Sequence, residues 1–556
     1  MRPLFASVPL LACGLLAACT PKAQAPADLI VIAQRVYTSD SAHPTAEAIA
    51  ETGGRIVFVG SKRGAMAYRG EATRVETLEG ATVVAGLVDA HAHVFGLGQS
   101  LRTVKLAGVA TYDEVIAKVV AQAKLTPKGQ WVIGRGWDQN LWPGKAFPTH
   151  DKLSAAVPDH PVYLTRIDGH AGLANTAAMR LAKVSAATKD PSGGHIERDA
   201  RGAPAGVFID NAQGLVQRVI PPSTHEQVKA DLLAAQQEIE KWGLTGVHDA
   251  GESKSAVDAY TELGQAGQLS ARFYVMLSDD KALIDEWFRR NPAVGLFDGM
   301  LTVRMIKAYM DGALGSRGAA LLQPYSDDPK QSGLVRTAPE HIRELADQAL
   351  VHGYQLGVHA IGDRGNRLVL DAYDAALKAH PNPDARFRIE HAQIIDPADI
   401  PRFKALGVIP SMQASHQTSD MYWAQDRLGD ARLAGAYAWG SLLKTGVIVP
   451  NGSDFPVEMV NPLISFHSAI SRQDSKNWPD GGWRPQERMT REQALLSMTL
   501  WPAMASFQEK DLGSLTVGKR ADFTVLDQDI MTVPVENVLV TKTVATYVGG
   551  KKVYGQ

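Results

Sequence analysis

The sequence predicts an α/β protein built on a closed (β/α)8 barrel of the TIM type. Three observations carry that expectation: amphipathic helices alternate with short apolar strands, a glycine follows each helix, and strand after strand ends in a polar residue. Strands that are apolar on both faces belong in a parallel sheet covered by helices. An open doubly wound sheet would gather its polar residues at one switch point, whereas a barrel carries them along its C-terminal rim. Polar strand ends at His91, His248, Lys307, His359, His391, Gln413 and Asp454 select the closed form.

The elements follow in order. Residues Leu4 to Leu16 are apolar but too few to cross about 30 Å of hydrocarbon, so 1–18 reads as a signal peptide. Small residues before Cys19 resemble a bacterial lipoprotein box. That resemblance implies lipidation of Cys19, an N-terminal anchor in a lipid bilayer, a bacterial cell-envelope location and a tether over 19–27; a secretory signal with an incidental cysteine is the plainer alternative. Short strand patterns in 28–84 and in 506–556 are each too few for a stable sheet, so the two termini are expected to pair in one small β-domain.

The barrel spans 85–505, with its first strand at 87–91. The stretch from His93 to Leu244 far exceeds the roughly 31 residues of one βα unit, which requires an insertion, about 95–223, over the barrel mouth. Thr224 and Gln227 form a capping box, and Val228, Leu232, Ala235, Ile239 and Trp242 share one helical face. Later strands are expected at 244–249, 272–277, 302–308, 355–359, 386–391, 408–412 and 447–453. Glycines 243, 353, 407 and 446 close the preceding helices by permitting a left-handed turn.

Composition removes several function classes. The 556 residues carry 57 Lys+Arg against 59 Asp+Glu without a basic run, which makes nucleic acid a poor partner. Both cysteines, Cys13 and Cys19, precede the folded body, so that body holds no disulfide, thiolate metal site or cysteine nucleophile.

The chemistry begins at His91-Ala92-His93. Residues i and i+2 of a strand point to one side, so this pair aims two imidazoles at one point, as a metal requires. Satisfied core histidines explain a lone His well, but not a set of histidines, a lysine and an aspartate at matching strand ends.

Gly86-Leu87-Val88-Asp89-Ala90-His91-Ala92-His93 resembles the first-strand signature of the amidohydrolase superfamily. Segments 306–312, 358–363, 389–393 and 451–456, with the return at 513–522, are similar to its YtcJ-like branch, amidohydrolase family 3. The resemblance implies that His91, His93 and Asp454 hold one metal and that His359 and His391 hold a second. Lys307, carboxylated by CO2, would bridge the two as a carbamate; an ion-paired lysine would leave a single-metal site. The implied cofactor is a divalent metal, one or two ions, zinc in the first place, though iron, cobalt or manganese suit the same ligands. Two dications against carbamate, Asp454 and hydroxide leave a net positive charge that polarises a carbonyl.

The activity this implies is cleavage of a carbon–nitrogen bond, amide or N-acyl and non-peptide, in a small molecule by metal-activated hydroxide. Asp454 is the expected catalytic base and acid. Hydrolysis of an ester, lactone or phosphoester by the same centre, or a non-catalytic solute-binding lipoprotein, are the alternatives. Trp137, His170, His248 and Arg317 are candidate substrate contacts, each with a plain reading as a loop or interface residue. His150, His160, His195, His225 and His467 read as structural or solvent-exposed, and assembly into a homo-oligomer is left open.

Overall fold

The computed structural model describes residues 24–101 and 103–555. The signal segment and Cys19 lie outside the described residues. Eight parallel strands form the barrel: Leu87–Ala92, Leu244–Glu252, Arg272–Ser278, Leu301–Tyr309, Gln355–Ala360, Arg388–His391, Ile409–Gln413 and Asn451–Gly452. They neighbour one another in chain order. Closure is made by backbone bonds across the first and eighth strands, Asp454 N–H to His91 O at 2.7 Å and His93 N–H to Phe455 O at 2.8 Å. Asp89 reinforces the seam by accepting from the Ser453 amide (3.0 Å) and hydroxyl (2.6 Å). The approach is so tight that a Cβ at Gly452 would sit 2.5 Å from the His91 nitrogen.

The eighth strand is shorter than the expected 447–453. Val447–Pro450 runs without ladder pairing, and Pro450, which has no N–H to give, contributes only its carbonyl to the Met412 amide. The helix His225–Lys241 carries the expected capping box, and Gly353 and Gly407 end their helices at φ +75° and +67°.

Both termini do share one sheet. Arg74–Ala85 lies between the N-terminal strand Leu29–Tyr37 and the C-terminal strand Phe523–Leu526, in a seven-stranded array. A buried two-pronged ion pair ties it to the barrel: Arg272 donates to Asp522 at 2.6 and 2.9 Å.

The insertion is a third, six-stranded sheet running from Val104–Lys105 to Pro204–Asp210. It has a core of its own, including Leu106, Val119, Trp137, Leu164 and Ile209. Its strand ends deliver Arg135, Asp168, His170 and Asp210 to the barrel mouth.

Candidate metal centre

The rim register sets the ligand candidates side by side. Lys307 pairs with Gly357, Tyr309 with His359, and Ala360 with His391. Ring centroids of His91 and His391 are 4.8 Å apart, and those of His359 and His391 are 4.5 Å apart. His93, Lys307, His359, His391 and Asp454 line a cavity of about 730 Å³ under the insertion. His91 sits fully buried beneath it. Two of these residues have strained backbones, His391 at φ +75° and Asp454 at φ +61°. For non-glycine residues this costs on the order of 1 kcal/mol each, and such strain gathers at functional sites.

Hydrogen bonds fix which ring nitrogen faces inward. His91 Nδ1 lies 2.5 Å from Glu390 Oε2, His93 Nδ1 2.9 Å from the Ala250 carbonyl, and His391 Nδ1 2.8 Å from Gln413 Oε1. Each partner is an acceptor, so each Nδ1 carries the proton and each Nε2 offers a lone pair. His359 is anchored the other way, with Nε2 3.4 Å from the Gly312 carbonyl and 3.5 Å from Asp311 Oδ1.

Charge follows from burial. Desolvation pulls the pKa of His91 down to about 4, Lys307 pulling the same way, and holds His359 and His391 well below the usual imidazole range. All three are neutral at pH 7. Asp454 is the opposite case. Burial pushes its carboxyl up, but His93, His391 and His91 together hold it well below the carboxylate range, so it stays ionised.

Asp454 Oδ1 is 3.1 Å from His93 Nε2 and 3.6 Å from His91 Nε2. Two imidazole nitrogens and a carboxylate oxygen therefore converge on one buried place. Imidazole and carboxylate donors gathered in this way fit a divalent metal. His91, His93 and Asp454 form one candidate group, and Asp454 belongs to a second with His391 and His416. Lys307 Nζ is 3.5 Å from His91 Nε2.

A profile of the amidohydrolase family matches residues 74–554. The chain belongs to that family. It is 31% identical over 526 residues to the putative amidohydrolase YtcJ of Bacillus subtilis (strain 168), covering 93% of this chain and 98% of that one. It is 28% identical over 543 residues to the N-substituted formamide deformylase of Arthrobacter pascens, covering 94% and 97%. Its fold superposes on an uncharacterized metal-dependent hydrolase from Pyrococcus furiosus with TM-score 0.72 and 27% identity, covering 91% of this chain and all (100%) of that one. Family and architecture make this amidohydrolase relative a hydrolase on a TIM-type barrel.

The four candidate substrate contacts divide. His170 lines the cavity, its Nδ1 2.7 Å from Asp210 Oδ1. Trp137, His248 and Arg317 are not on the wall, and a direct substrate contact at these positions does not fit their placement. Trp137 is core of the insertion, its indole N–H donating to the Leu164 carbonyl at 2.7 Å. His248 packs inside the barrel against Tyr274, with Nδ1 3.0 Å from Arg388. Arg317 is turned to Asp327 at 2.9 Å.

Two residues of the centre escaped the sequence reading. Glu390 lies among buried Arg388, His91 and Ser411; apolar neighbours Phe387 and Ile389 around charges at i and i+2 signal a paired polar file inside the barrel. His416 stands in the helix Ala414–Asp420, past the strand end, where neither spacing nor register marks it. It is 7% exposed with neither ring nitrogen hydrogen-bonded, and Nε2 is 3.7 Å from Asp454 Oδ2.

Proposed function

We propose that the chain is a metal-dependent hydrolase of carbon–nitrogen bonds other than peptide bonds, acting on an amide or N-acyl small molecule. The observation that carries this reading is the convergence of His93 Nε2 and His91 Nε2 on Asp454 Oδ1, at 3.1 and 3.6 Å, beside the cavity. Likeness to a formamide deformylase across nearly the whole chain supports the bond type.

His91, His93, His391 and Asp454, with His359 and Lys307 beside them, are the residues that would hold the ions, zinc being well suited to imidazole and carboxylate donors. A divalent ion bound there lowers the pKa of water towards 7 and polarises a carbonyl. Asp454, ionised and at the cavity wall, accepts the proton of the attacking water and returns it to the departing nitrogen. The ammonium form of Lys307 so near His91 Nε2 would repel a cation. As a carbamate, formed from the free amine and CO2 with release of one proton, it would instead offer two oxygens.

We further propose that Cys19 anchors the enzyme to an envelope membrane; among the described residues no helix is long and apolar enough to cross one. Membrane fractionation of Cys19→Ala tests the anchor, and unchanged association overturns it. For the activity, bound metal is measured first. Amine release from N-substituted formamides and N-acyl amino acids is then compared with turnover of esters and lactones. Metal-free protein, or a loaded enzyme that opens only esters or lactones, overturns the proposal.

A further inference from the structure

The cavity wall carries two guanidinium groups that the hydrolytic chemistry does not use. Arg135 comes from the insertion and Arg336 from the segment after the fourth barrel strand. Arg135 donates to the Ile167 carbonyl at 3.0 Å and Arg336 to Asn211 Oδ1 at 3.2 Å, both neutral acceptors. The Nε of each is buried with no hydrogen-bond partner. Among the described residues, neither has a carboxylate oxygen within 4.0 Å.

The acids of the wall are already committed. Asp168 shares Arg166 with Asp138, at 2.5 and 2.6 Å, and Asp210 lies 2.7 Å from His170. Glu252 is driven towards its neutral form by burial and by Asp249 beside it. Asp454 faces the histidines. Arg135 and Arg336 are two half-buried cations facing one enclosed space, neither with an ion-pair partner within 4.0 Å among the described residues. Arg336 also lies over the Tyr309 ring at 4.9 Å, the same ring that Lys307 approaches at 4.6 Å. A group held by Arg336 is thus one aromatic ring away from the ligand set, a span of a few bonds along a substrate.

We infer that this cavity selects substrates bearing a carboxylate a few bonds from the scissile bond, which Arg135 and Arg336 receive. A guanidinium presents paired N–H donors in the plane that a carboxylate matches, so an anion there satisfies orphaned donors and compensates buried charge together. The substrate class becomes N-acyl or N-formyl compounds of amino or other carboxylic acids rather than neutral amides. This deepens the carbon–nitrogen reading and rests on it for the bond, but not for the charge.

The test pairs substrates that differ only in that group: an N-acyl amino acid against its carboxamide, and a carboxylate-bearing ester against its neutral methyl ester. With metal-loaded wild type, the anionic member of a pair is expected to have kcat/KM about 10–100-fold higher, the worth of a charged hydrogen bond. In Arg336→Gln and Arg135→Gln that ratio falls towards one, chiefly through KM of the anionic member, with Arg336→Lys intermediate. Calorimetric binding of the same N-acyl amino acid and carboxamide to the loaded proteins gives a readout independent of turnover. Anionic preference confined to the esters removes the carbon–nitrogen reading and leaves the anion site standing. Equal or better handling of neutral members by wild type overturns the anion site, as does an unchanged ratio in both glutamine variants. Where nothing turns over, failure of the wild type to bind the N-acyl amino acid more tightly than the carboxamide overturns it equally.

Discussion

Replacing Glu390 with glutamine isolates what the carboxylate beneath His91 does for the metal centre. Glu390 is fully buried, with Oε2 2.5 Å from His91 Nδ1 and 3.0 Å from Arg388 Nη2, and Oε1 2.7 Å from Arg388 Nε. Burial pushes its carboxyl up, but Arg388, His91 and Lys307 hold it below the ordinary range, so it is charged in the native state. Glu390→Gln leaves the buried guanidinium with the Ala90 carbonyl, the Ser411 hydroxyl and His248 Nδ1 as its remaining partners. Breaking a buried pair costs about 3–5 kcal/mol, and three surviving partners put this case at the lower end, about 3 kcal/mol. The loss also reaches the ligand. An amide no longer compels His91 Nδ1 to keep its proton, and weakening an outer-shell partner of this kind lowers metal affinity roughly 10–100-fold. Metal retained after dialysis against graded chelator reads the second effect, and the urea midpoint reads the first. Wild-type metal affinity in the variant would refute the ligand-orienting role, and an unchanged midpoint would refute the pairing energetics.

Other perturbations have equally definite outcomes. Asp454→Asn is expected to keep metal on the histidines while turnover falls about 10²–10⁴-fold, the usual worth of a positioned proton acceptor; near-normal turnover removes Asp454 from that role. Chelation is expected to abolish turnover, and reloading to about 100 times Kd to return turnover with about 2.7 kcal/mol of stability; a chelator-treated protein of unchanged activity contradicts the metal assignment. Glu240, on the last turn of His225–Lys241, is buried and raised to about 7 by desolvation, against the lowering effect of the Ser270 hydroxyl. Its native state therefore holds a proton the unfolded chain has lost, and stability falls as pH rises from about 4.5 through 7. Glu240→Gln should remove that slope, gaining up to about 2 kcal/mol on wild type between pH 5 and pH 8. Parallel stability profiles for the two proteins would show the carboxyl unshifted.

The barrel and the placement of most candidate residues along its rim were legible because both follow from local rules. His91 and His93 share a strand end at i and i+2, and Lys307, His359 and His391 lie near the C-terminal ends of later strands. Pairing of the two termini was legible from the insufficiency of each part. Long-range contacts were not. His416 reaches Asp454 from a helix, and Arg166 draws Asp138 and Asp168 together inside the insertion, so only the folded chain reveals Arg135 and Arg336 as without ion-pair partners among the described residues. His248 and Trp137 misled for a related reason. A polar atom at a strand end looks alike in sequence whether it faces a cavity or, as here, a neighbouring Arg388 or a backbone carbonyl.

The shared sheet at the base makes the molecule's first and last segments mutually dependent. Arg74–Ala85 stays an open edge until Phe523–Leu526 arrives, so almost the entire chain must be synthesised before that ladder can zip. Until then its unpaired amides and carbonyls are available to any stray strand, and so distant a contact forms late and slowly. A translation product stopped short of Phe523 would carry every candidate rim residue on a body whose foundation is half built.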